Sequence, residues 1–231
     1  PLQMRTILSL LAPIVLAGLA PAQVTHYWVD AVNGSDTNPG TQALPFKTLT
    51  MGLTIWNTNM VVHVMPGTYG PATTGDFWDA TANTSSQVRL NDYINFKLVG
   101  EDRDTCIIDF NDPSGAPIGD IFYGMIRISG AVTDGVEICN LTFKNCSSSP
   151  QWGCGPVCVT GAPNNVEIHD CYYENTASSF ICWGGFNVAF HDNVIVSTPA
   201  YAQQYVAIRV RTQYFSPANG DNTYIYNNTI Y

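Results

Sequence analysis

Basic side chains are scarce in this chain of 231 residues: nine Lys and Arg stand against eighteen Asp and Glu, a formal charge of −9. Nucleic-acid binders carry a basic stripe or patch, so neither DNA nor RNA is an expected partner. Charge of either sign is thin, at 12% of residues, while 45% are hydrophobic. The water-facing side of the protein must therefore be built from Asn, Thr, Ser and Gly. Long apolar runs are missing after residue 22, and the earlier one, Ile7–Leu19, is broken by Pro13 and Gly18. A membrane-spanning helix needs about 20 consecutive apolar residues, so no span is expected.

Residues 4–22 read instead as a secretory signal. Arg5 supplies the positive end, Ile7–Leu19 the apolar stretch, and Ala20-Pro21-Ala22 a small-x-small cleavage site. Met4 is then the start, with Pro1–Gln3 left over from upstream, and export to an extracellular or periplasmic location is expected. Seven cysteines, all after residue 22, suit an oxidising compartment, although the number is odd.

What the chain has in abundance is a repeat. Val136–Phe143 reads VEICNLTF, Val166–Tyr173 VEIHDCYY, Val188–Ile195 VAFHDNVI and Thr223–Ile230 TYIYNNTI. Each copy runs apolar-x-apolar, then Cys, His or Tyr, then Asn140, Asp170, Asp192 or Asn227, then a second short apolar run. A short strand precedes each copy: Met125–Ser129, Val157–Thr160, Phe180–Trp183 and Ala207–Arg211. Strands recurring every 20–50 residues signal a solenoid, in which each coil buries the apolar face of the next. An antiparallel sandwich also has short, evenly spaced strands. It has no need of the same polar residue after the same apolar pair, whereas a stacked turn does. The four aligned Asn and Asp residues are accordingly expected to be structural and to lie in single file.

The repeat resembles the coils of the right-handed parallel β-helix in the pectate-lyase-like superfamily, with its asparagine ladder. Upstream, YWVDAVNGSDTNPGTQALPFKTL and VHVMPGTY, within Tyr27–Tyr69, resemble the opening block of a family of secreted β-helix proteins of unknown activity. The resemblance covers about residues 27–231. It implies an all-β fold, a right-handed parallel β-helix with a short N-terminal capping helix. The helix is expected from Pro45 to about Trp56, where Phe46, Leu49, Leu53 and Trp56 follow helical spacing. Residues 1–22 are then the signal, 23–70 the first strand and capping helix, and 71–231 the coils. Residues 71–92 read as a polar, irregular loop, either a lid or decoration. The chain stops at Tyr231 within a coil and without a polar cap, which suggests a longer natural protein.

Two chemistries follow as expectations. In enzymes of the resembled fold, substrate lies along the strand before the V-x-I strand. There, alternation turns Arg127, Cys158, Cys182 and Arg209 outward, with Arg211 alongside. Guanidinium groups grip sugar carboxylates or sulfates, so an anionic polysaccharide is the expected partner, bound and, if the chain is an enzyme, cleaved in lyase or hydrolase fashion. Ordinary ion pairing on the surface is the bland alternative for these arginines, and a non-catalytic glycan-binding module or stalk the alternative for the protein. His169 and His191 stack on the neighbouring strand and are the other substrate-facing candidates, as base or as bystanders. Glu137 and Glu167 also stack, and could serve as paired carboxylates or lie together by coincidence.

Cys158 and Cys182, at one position on successive coils, and Cys146 with Cys154, across a loop, are candidate disulfides; buried thiols are the alternative. Zinc is disfavoured because Cys154-x3-Cys158 has no His at finger-like spacing. No metal ligand set or cofactor is assigned. Ca2+ remains open at the acidic turn Glu101–Asp104, whose spacing is not that of an EF-hand. A monomer is expected.

Overall fold

The computed structural model describes residues 23–55, 58–79, 84–111, 125–146, 155–196, 207–210 and 222–231. They wind as a right-handed parallel β-helix of three sheets. Sheet 1 stacks Thr25–Val29, Met60–Val64, Ile94–Gly100, Asp134–Cys139, Asn164–His169, Phe186–His191 and Thr223–Tyr226. Sheet 2 stacks Gly67–Tyr69, Cys106–Asp109, Thr142–Lys144, Tyr172–Glu174, Val194–Val196 and Thr229–Ile230. Sheet 3 stacks Val88–Asn91, Ile126–Ser129, Val157–Thr160, Phe180–Trp183 and Ile208–Val210. Among the described residues, no helix is long and apolar enough to cross a membrane.

The register is that of the repeat. Val136 lies beside Val166, then Val188 and Thr223, and Ile138 beside Ile168, then Phe190 and Ile225. Val136, Ile138, Val166, Ile168, Val188 and Phe190 are buried. Each such side chain is worth about 1.5–3 kcal/mol when fully withdrawn from water. Aromatic rings add to the core, with Phe143 stacked on Tyr173 of the next coil at 5.1 Å and Phe180 on Phe190 within one coil at 4.7 Å.

Each winding must turn sharply, and the corners use left-handed backbone. Asn140, Asp170, Asp192 and Asn227 have φ of 56°, 52°, 55° and 54°, in single file as expected. A second file lies at the start of the strands of sheet 1: Asn59, Asn95, Gly135, Asn165 and Asn187, with φ between 51° and 68°. Asn and Asp tolerate this region better than other side chains, and Gly enters it freely. Hydrogen bonding between coils at the first corner falls one residue later than the sequence suggests. Buried Asn193 accepts from the Cys171 N–H at 3.0 Å and donates to the Ile168 carbonyl at 3.2 Å and to Asn228 Oδ1 at 3.0 Å.

The N-terminal block is architectural. Asp36 Oδ1 accepts the N–H groups of Lys47 and Thr48, each at 2.9 Å, and Tyr69 donates its hydroxyl hydrogen toward the Val29 and Met65 carbonyls, both at 2.9 Å. Phe46 makes an isolated parallel bridge to Val29 and so has extended backbone. The helix is therefore confined to Leu49–Thr54, shorter than expected, with Thr48 as its cap. Asp76 accepts from the Leu49 and Thr50 N–H groups at 3.1 and 2.7 Å, and Leu49 and Leu53 point into the core. The expected irregular loop at 71–92 contains the first strand of sheet 3 and the buried, positive-φ Phe77, which packs on Phe110.

Gly100 lies against the Asn140 corner, where an added Cβ would come within 1.9 Å of the Asn140 carbonyl oxygen. Gly100→Ala is expected to cost about 1–3 kcal/mol, and Asn193→Ala a similar amount by leaving buried groups unpaired. Asn140→Gly, which keeps the corner, should cost no more than about 1 kcal/mol. Urea unfolding of the three variants checks the ranking.

Candidate functional site

The outer face of sheet 3 differs from expectation. Its register runs Arg89, Arg127, Cys158, Ile181, Arg209, so Cys182 lies beside Val159 and not beside Cys158. Cys182 points into the core, while Cys158 packs with Ile181 and Trp183 in a separate buried cluster on the outside. With thiols on opposite faces of the sheet, the stacked Cys158–Cys182 pair does not form. In Phe180–Trp183 both faces are apolar, and alternation alone could not tell inward from outward. Cys146 is buried in the core; Cys154 and Arg211 lie outside the described residues.

The buried cluster also divides the expected arginine groove. Arg127 and Arg209 are three strand steps apart, roughly 14 Å. Arg127 Nε donates to Thr160 Oγ1 at 2.9 Å. Its immediate neighbour is Arg89, which sequence reasoning missed because Val88–Asn91 sits in a polar stretch. Arg89 Nε donates to Gln87 Oε1 at 2.9 Å.

Sheet 1 brings more chemistry together. One outward file runs Lys97, Glu137, Glu167, Ala189; the next runs Val99, Cys139, His169, His191, Tyr226. The His169 and His191 rings stack in parallel at 5.0 Å, and Tyr226 continues the stack at 4.5 Å. The same device appears in two coils. His169 Nδ1 is 2.7 Å from Asp170 Oδ2 and its Nε2 is 3.5 Å from Glu137 Oε1. His191 Nδ1 is 2.7 Å from Asp192 Oδ2 and its Nε2 is 2.8 Å from Glu167 Oε1. Asp170 and Asp192 thus turn the corner with their backbones and orient a histidine with their side chains.

Beside these files lies a groove of about 450 Å³, lined among others by Asn59, Asn95, Asn165, Lys97, Glu137 and Glu167. Its amides are linked: Asn95 Nδ2 donates to Asn59 Oδ1 at 2.8 Å, and Asn165 Nδ2 to Asp134 Oδ1 at 2.8 Å. Lys97 pairs with Glu137 Oε2. That hydrogen bond raises the Lys97 pKa. Burial pushes Glu137 up, but Lys97 outweighs it and holds the carboxyl below its ordinary value. Burial, reinforced by Glu137, pushes the Cys139 thiol up to about 12. Burial lowers the His191 pKa, but the hydrogen bonds with Asp192 and Glu167 outweigh it and raise it overall.

At the acidic turn, Arg103 pairs with Asp104 at 3.1 Å, and Asp102 accepts the Asp104 N–H at 3.0 Å. The donor atoms that do converge are those of Glu137, Cys139 and His169, within 4.8 Å of one another.

The fold and this face define a parallel β-helix protein with a polar groove on one sheet. The family described as "Protein of unknown function (DUF1565)" matches residues 32–78. No curated protein matches the chain. Among solved structures, a rhamnogalacturonan lyase is 14% identical over 90% of this chain, with a TM-score of 0.37. The chain spans 62% of that protein's length. A pectin methylesterase in complex with hexasaccharide VII is 12% identical over 91% of this chain and 81% of its own, with a TM-score of 0.37. A GH136 lacto-N-biosidase from Eubacterium ramulus is 10% identical over 90% and 68%, with a TM-score of 0.25. Likenesses this distant assign no activity to the chain.

Because its folded pKa is raised, His191 contributes stability that is fully present below its unfolded value, about 6.5. That stability is lost as pH rises through the folded value. His191→Gln should therefore lower the urea midpoint more at about pH 6 than at about pH 9. An equal loss at both would show that the histidine acts by packing alone.

Proposed function

We propose that the chain is an exported β-helix module that binds an extracellular polysaccharide along the outer groove of sheet 1. The observation that carries this reading is the file of corner amides, Asn59, Asn95 and Asn165, lining an open groove beside Lys97, Glu137 and Glu167. Strands repeat at about 4.8 Å, so the groove offers hydrogen-bonding amides one or two strand spacings apart to a linear polymer of hydroxyls. Trp28 and His63, stacked at 4.7 Å on the same face, add an aromatic surface. The signal-like segment at 4–22 supports export.

Binding without cleavage is favoured. Hydrolysis by paired carboxylates needs one of them in an apolar pocket that keeps it protonated; Glu137 is ion-paired with Lys97, and Glu167 is half exposed beside His191. Lyase chemistry needs a base, and the same pairing disarms Lys97. The groove and the corner beside it carry Glu137, Glu167, Asp170 and Asp192 against one lysine, so a neutral polymer fits better than an anionic one. The anionic polymer belongs to a second reading, favoured by Arg89 and Arg127 on adjacent strands of sheet 3.

Affinity gel electrophoresis on neutral and uronate-containing polysaccharides separates the two. Asn95→Gly and Asn165→Gly remove amides while keeping the corner, as Gly135 does in the same file. Each should weaken retention on a neutral polymer about tenfold, with Arg89→Ala and Arg127→Ala unchanged. The reverse pattern on a uronate polymer would move the site to sheet 3. Retention by no polymer would remove the proposal, and release of reducing or unsaturated ends would overturn the non-catalytic reading.

A further inference from the structure

We infer that Glu137, Cys139 and His169 form a zinc site with one position open to solvent. Strand geometry assembles it: Glu137 and Cys139 are two residues apart on one strand and share a face, and His169 lies directly beside Cys139 on the next coil. Glu137 Oε1 is 3.5 Å from His169 Nε2 and 3.7 Å from Cys139 Sγ. Tetrahedral zinc, with bonds of about 2.0–2.1 Å to nitrogen or oxygen and about 2.3 Å to sulfur, sets its ligand atoms roughly 3.3–3.6 Å apart. Those two spacings are close to that already, and all three ligand atoms lie within 4.8 Å of one another.

An independent feature is the second contact of the histidine. His169 Nδ1 is held by Asp170 at 2.7 Å, which leaves Nε2 as the ligating nitrogen. A carboxylate behind a metal-bound histidine fixes its tautomer and ring orientation. The other oxygen of Glu137 is held in the same manner by Lys97. Thiolate, imidazole and one carboxylate suit zinc; calcium takes six to eight oxygens. Cys139 is buried, while Glu137 and His169 are half-buried, so the fourth position faces water or a small ligand. Binding replaces the thiol proton with the metal, so that proton leaves for solvent. The inference is independent of whether the groove holds a glycan.

The purified chain, stripped with chelator, is titrated with Zn2+ and separately with Ca2+ by calorimetry, and with Co2+ by absorbance. One zinc per chain is expected, with about one proton released, and a sulfur-to-cobalt charge-transfer band. Cys139→Ser should abolish the band and weaken zinc by more than about 100-fold; Asp170→Asn, which suits the same corner, should weaken it about 10–100-fold. His63→Ala is the control for the His26–His63 pair, whose ring nitrogens approach to 2.8 Å, and should leave zinc binding unchanged. Absence of zinc binding, preference for calcium, a band that survives Cys139→Ser, or zinc lost in His63→Ala would each overturn the assignment. If Cys139→Ser does not fold, His169→Gln decides by the same titrations.

Discussion

In-register stacking of parallel strands is the constraint on which the molecule rests. A single winding cannot bury its own apolar side, and a slip of one residue would turn every buried side chain outward. The corners must therefore return the chain to the same register in every winding, whatever the length of the loops between. Left-handed residues do this at Asn140, Asp170, Asp192 and Asn227, and at the second file from Asn59 to Asn187. Asn193 and Asn228 satisfy the peptide groups that such corners leave inside.

The same stacking creates the chemistry of the outer faces and also its difficulty. Residues in register lie one strand spacing apart, so Glu137 and Glu167 stack like on like, which is unfavourable for charges. The neighbours answer this with cations and donors: Lys97 and His169 at Glu137, and His191 at Glu167. Each histidine is in turn anchored by the aspartate that follows it. A corner residue needed for backbone reasons thus becomes the support of a functional side chain. That coupling explains why the charged network recurs in two coils, with Cys139 in place of a histidine one coil earlier.

Much of this was legible in the repeat itself. Apolar alternation in VEICNLTF, VEIHDCYY, VAFHDNVI and TYIYNNTI marks the inward residues of sheet 1, and the register agrees at each aligned position. Sheet 3 was harder to read. Phe180–Trp183 is apolar on both faces, which hid the frame and misplaced Cys182, while Val88–Asn91 is too short and too polar in context to stand out. The groupings of the candidate site were half visible. Alignment places Cys139 over His169 and Glu137 over Glu167, yet nothing in a linear pattern says that a glutamate reaches sideways to the histidine of the next coil.

Period and polarity alone determined that this chain coils, which residues face inward on sheet 1 and where its windings turn, because burial and left-handed backbone are local demands written into residue type. The tertiary structure alone decided which side chains meet between coils. It closed the middle of sheet 3 with Cys158, Ile181 and Trp183, paired Arg127 with Arg89, and gathered Lys97, Glu137, Cys139 and His169 from three successive windings. Loop length separates those residues in the chain, and only the stacking distance brings them together.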